Sequence, residues 1–208
     1  MQQLQRFALG AAAAGIFMMG AVVASAASYS LTPWVYDPDN TGGSVAMLVT
    51  DGVHLEKNVS TPTNTAAGAT INGVEGLSTT GMTLGFHVDG YCGAGAPRFN
   101  VTLSDNTVIF LGCTYGNDGS GNVSFTAGNT YGGVLFPEGA TVSSIDLVQD
   151  EQGQTTLTNI MVNGVTIDVT RQTVMNQCKN GGWQTMTDPR THAIFRNQGQ
   201  CVSYMNTQ

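Results

Sequence analysis

The side chains of this chain that are best placed for recognition chemistry lie along two runs that alternate apolar and polar residues. In residues 82–89 the polar positions include His87 and Asp89, and in residues 98–104 they include Arg98 and Asn100. Tyr91 and Tyr115 stand close to the cysteines Cys92 and Cys113 beyond those runs. If the two runs are neighbouring strands, the four polar groups share one face and the two rings sit at its end. Rings together with planar hydrogen-bond donors are the chemistry of sugar recognition, the rings taking the apolar side of the sugar and the donors its hydroxyls. The same face also makes ordinary solvated surface with Arg98 paired to Asp89.

Catalytic and metal-binding patterns are poor by comparison. The only approach to a nucleophile elbow is Gly119-Ser120-Gly121, which lacks the required spacing. Glycoside hydrolysis needs two placed carboxylates, and of Glu56, Glu75, Glu138 and Glu151 the last two fall in expected turns. Asp37-Pro-Asp39-Asn40-Thr41-Gly42 opens like a calcium loop but reaches Leu48 where a bidentate Glu belongs. His54, His87 and His192 are scattered singly and the cysteines lack C-x-x-C spacing, so no zinc site and no cofactor is expected. Trp34, Trp183 and Phe195 are rings of the kind that stack on sugars, but Trp183 and Phe195 lie between Cys178 and Cys201, where filling a tiny core accounts for them. The triplets at Asn58, Asn100 and Asn122 match a glycosylation pattern that chance produces in an Asn-, Ser- and Thr-rich chain.

The elements that must position these groups are strands. Charged residues make up 10% of the 208 and there are 27 glycines, a composition of short strands and tight turns rather than long helices. Strands are predicted at residues 28–36, 44–50, 53–57, 82–89, 98–104, 107–112, 122–125, 133–136, 141–149 and 154–162. Asp51-Gly52 and Asn163-Gly164 are predicted hairpin turns, because both central residues of a type I′ turn need positive φ. Residues 58–68 read as a loop, and short helices are predicted at 170–178 and 197–205, the second capped by Asn197. Many short strands at such spacing predict an all-β antiparallel sandwich.

Residues 1–26 read as a signal peptide, with Arg6, an apolar run and Ala24-Ser25-Ala26 at the cleavage point; an uncleaved anchor is the rival. The sandwich is then expected over 27–170 and a small, partly helical appendage over 171–208. The formal net charge of −7, made more negative by loss of Arg6, speaks against nucleic acid. All four cysteines follow the signal, so an oxidising compartment favours two disulfides out of three possible pairings. In an antiparallel meander the start of strand 98–104 and the end of strand 107–112 coincide, which pairs Cys92 with Cys113 and leaves Cys178 for Cys201.

Two stretches resemble known proteins. Residues 142–150, with Leu157-Thr158-Asn159-Ile160 and Asn163-Gly164, resemble the closing strands of secreted bacterial jelly-roll sandwiches, among them carbohydrate-binding modules. Where many of those carry an Asp that helps hold a structural calcium, this chain has Thr158, a poor ligand for a hard cation. The run from Cys178-Lys-Asn-Gly-Gly-Trp183 to Gln200-Cys201-Val-Ser-Tyr204 resembles a cysteine motif of uncharacterised secreted bacterial proteins, which implies no activity. The resulting expectation is a secreted, non-catalytic module for glycan or another envelope or matrix component, free of the membrane once the signal is cut. A purely structural surface or matrix protein and a secreted hydrolase are the alternatives.

Overall fold

A computed structural model describes residues 28–207, apart from the Gln172 side chain; the expected signal peptide lies outside the described residues. The strands are β1 (Ser30–Tyr36), β2 (Ser44–Val49), β3 (Gly52–Lys57), β4 (Ala66–Asn72), β5 (Thr83–Gly90), β6 (Arg98–Leu103), β7 (Val108–Gly112), β8 (Asn122–Thr126), β9 (Thr130–Tyr131), β10 (Val134–Leu135), β11 (Val142–Gln149), β12 (Gly153–Val162) and β13 (Val165–Thr166). They form two antiparallel sheets, β1-β4-β11-β6-β7 and β2-β3-β12-β5-β8, with β13 paired to the end of β12 and β9-β10 a small separate hairpin. The sheets pack face to face as a jelly-roll-like sandwich. Alternation decides which side chains enter: Phe99, Val101, Ile145 and Leu147 of the first sheet and Val53, Leu55, Phe86 and Leu157 of the second are all buried. The Phe86 and Phe99 rings meet across the two sheets with centroids 5.2 Å apart.

Both disulfides pair as expected, Cys92 with Cys113 and Cys178 with Cys201. Arg98 stands opposite Gly112 in the β6–β7 register, so the chain just before β6 and just after β7 emerges at one end of the sheet. The Asn163-Gly164 turn has positive φ at both residues, 52° and 74°, and joins β12 to β13 as a two-residue hairpin. The first hairpin differs from expectation. Val49 pairs with Gly52, so Thr50-Asp51 is the loop, with only Asp51 left-handed (φ 64°). Gly52 is needed for another reason: a Cβ there would stand 1.9 Å from the Leu157 carbonyl oxygen of the adjacent β12.

Strand β4, within and beyond the expected loop 58–68, carries little apolar signal in Ala-Ala-Gly-Ala-Thr-Ile-Asn, yet it lies between β1 and β11. Its small residues have a spatial cause, because the Trp34 indole lies across Gly68, where an added Cβ would come within 2.2 Å of the ring. Beyond β13, α2 (Arg171–Asn176), α3 (Gln198–Met205) and a two-residue hairpin of Thr187–Asp188 with Ala193–Ile194 make the appendage. The Asn197 side chain caps α3 by accepting from Gln200 N–H. Val45 and Met47 point out of the second sheet and are nonetheless buried, because α2 and the hairpin pack on β2. Val174, Phe195 and Met205 thereby join the same apolar cluster as the sandwich.

Candidate functional site

The fold splits the six candidate residues. Strands β5 and β6 are not neighbours, since β5 lies between β12 and β8 in one sheet and β6 between β11 and β7 in the other. The segment from Tyr91 to Pro97 carries the chain across the sandwich, so His87 and Asp89 face out on one side and Arg98 and Asn100 on the other. The expected Arg98–Asp89 pair therefore gives way to Arg98–Asp150. Inward-facing alternation is the same in either sheet, which is why the pattern did not separate them.

On the β5 side, His87 is hydrogen-bonded to Asn122 at 3.1 Å. Asp89 borders a shallow polar hollow of about 240 Å³ together with His54, Gln154 and Thr156. His54 contacts Thr156 Oγ1 at 3.2 Å and lies 3.8 Å from Glu56, whose other oxygen accepts from His192 of the appendage at 2.9 Å. Burial holds the His54 imidazole below its usual pKa against the opposing pull of Glu56.

On the β6 side, Arg98, Asn100 and Tyr115 gather at the disulfide-braced end, while Tyr91 lies at the β11–β12 turn, its N–H bonded to the Gln154 carbonyl. Arg98 donates through Nε to Asn100 at 2.7 Å, through Nη1 to the Gly95 carbonyl at 2.8 Å and to Asp150 Oδ1 at 2.6 Å, and through Nη2 to Asp150 Oδ2 at 2.7 Å. The guanidinium so fixed lies over the Phe110 ring, 5.2 Å from its centroid. Tyr91 donates to Glu151 at 2.6 Å; that bond, followed by burial, raises its pKa and keeps the phenol a neutral donor. Tyr115 is 47% exposed and Phe110 49%. Gly132, at φ 57°, leaves room for the Tyr115 ring, since a Cβ there would come within 2.4 Å of it. Between Arg98, Phe110, Tyr115 and Val134 runs an open groove of about 390 Å³.

Phe110, Asp150 and Glu151 are the members that sequence reasoning missed. The two acids looked like solvated turn residues, but the alternation of residues 107–112 does place the Phe110 ring on the outward side. Behind the groove the outer face of the first sheet continues across β6, β11, β4 and β1. Register aligns Trp34, Gly68, Val148 and Arg98 in one row and Thr70, Asp146, Asn100 and Phe110 in the next. The Trp34 Nε1 donates to Asp146 Oδ1 at 3.4 Å, which also accepts from Thr70 at 2.6 Å. Thr158 is on the opposite face beside a bulge at Asn159 (φ 49°). Phe195 is buried against Tyr204, with Arg190 over the Tyr204 ring, and Trp183 packs on the same cluster, so these rings fill the appendage core.

No family model, curated protein or solved structure matches this chain.

Proposed function

We propose that this protein is an exported, non-catalytic binding module that takes a glycan or another envelope or matrix component in the groove of Arg98, Phe110 and Tyr115. The observation that carries this reading is the pair of half-exposed rings flanking a guanidinium held in place by four hydrogen bonds. Such a site is organised before a ligand arrives, so binding costs little side-chain ordering. Two disulfides, no free cysteine among the described residues and no helix there long and apolar enough to cross a membrane are compatible with export.

A glycan array probed with the wild type and with Phe110→Ala, Tyr115→Ala tests the site. Binding by the wild type that the double variant loses is the expected result; binding unchanged in the variant removes the groove. Release of shortened sugars would replace the reading with a hydrolase. Export is tested by the mass of the mature protein, expected to begin near Ala27. A mass that still contains Arg6 and Phe7 makes the protein membrane-anchored.

A further inference from the structure

The charges around Arg98 bear on what the groove can hold. Four of the five guanidinium N–H donors are already used, and the Asp150 carboxylate neutralises the cation through two of them. Arg98 thus presents a flat face rather than an available charge. Glu151 stands beside Asp150, and Asp146 lies along the sheet face behind. Among the described residues the other basic side chains are elsewhere: Lys57 is buried, and Arg171, Lys179, Arg190 and Arg196 belong to the appendage. An anionic group in the groove would meet carboxylates and find no free cation.

The face behind the groove adds length. Val148 points outward but is only 4% exposed, lying in register between Gly68, over which the Trp34 indole is spread, and Arg98. From β1 to β7 there are four strand-to-strand steps, about 19 Å, so Trp34 and Phe110 bracket a platform for several sugar units. Between them Asn100, whose Oδ1 is taken by Arg98, has its amide N–H groups for a hydroxyl.

We infer that the ligand is an uncharged, extended glycan lying across the outer face of the first sheet from Phe110 and Arg98 to Trp34, and that anionic polysaccharides are excluded. This deepens the binding reading above and rests on it.

Affinity electrophoresis of the full chain tests it, using neutral soluble polysaccharides (hydroxyethyl cellulose, galactomannan, xyloglucan) and anionic ones (alginate, polygalacturonate, hyaluronate). Retardation is expected from a neutral polymer and none from the anionic set, with retention unchanged at about 0.5 M NaCl, where charge attraction is screened within a few ångströms. Phe110→Ala and Trp34→Ala are each expected to weaken retention by about tenfold, the loss of one stacked ring, while Phe110→Tyr keeps it. Retardation by anionic polymers alone, abolished by Phe110→Ala, overturns the neutral-ligand inference and leaves the binding site standing. Neutral binding untouched by Trp34→Ala in a folded variant overturns the extended platform. Retardation by no member of either set overturns both this inference and the function on which it rests.

Discussion

The side-chain amide of Gln177 stands in for a neighbouring strand at Leu48: its Oε1 accepts from the Leu48 N–H at 2.8 Å and its Nε2 donates to the Leu48 carbonyl at 2.9 Å. Strand β2 is the edge of its sheet, and an unpaired edge is a template for another chain. The appendage therefore both buries the outer side of β2 and satisfies part of its open ladder.

Replacing Gln177 by Ala removes both bonds and is expected to cost about 1–3 kcal/mol. Urea denaturation measures that cost. Size-exclusion chromatography of the same variant is expected to show added self-association, and a strictly unchanged profile with unchanged stability would show that the edge needs no cap.

Lys57 is 1% exposed and its ammonium donates to the carbonyls of Thr61, Thr63 and Asp150 at 2.9, 2.7 and 2.8 Å. Lys57→Met keeps the apolar stem and leaves three part-buried carbonyls without their donor, with an expected loss of about 1–3 kcal/mol. Because Asp150 also holds Arg98, groove binding should weaken in the same variant. A melting temperature equal to the wild type would refute the tether.

His54 has a folded-state pKa lowered by burial. As pH falls below the ordinary histidine value of about 6.5, the unfolded chain takes up a proton that the folded chain refuses, so stability falls with pH in that window. His54→Gln is expected to flatten that part of the stability profile. Parallel curves for the two proteins from pH 7 to about 5 would contradict the burial assignment.

Cys92–Cys113 and Cys178–Cys201 close loops with sequence separations of 21 and 23. Each double Cys→Ser variant is expected to lose about 3 kcal/mol in the chain-entropy picture. Only loss of the first should also weaken groove binding, because Tyr91 and Tyr115 stand beside that bridge. Equal effects of the two variants on binding would argue that the groove is not locally braced.

What the sequence determined by itself was local. Period-2 alternation marked the inward residues of β5 and β6, the Asn163-Gly164 pair marked a turn with two positive φ angles, and Asn197 marked the start of α3. These follow from pleat geometry and the steric freedom of single residues. The tertiary structure alone decided that β5 and β6 lie in opposite sheets, that Ala66–Asn72 is an inner strand, and that Gly52 yields to the Leu157 carbonyl. Alternation says which side of a strand meets the core, but both sheets of a sandwich face the same core, so it cannot say which sheet a strand joins. The pairing of Arg98 with Asp150, 52 residues apart, and the spread of Trp34 over Gly68 depend on that choice. Long-range strand pairing makes it, and with it decides which polar side chains share a face.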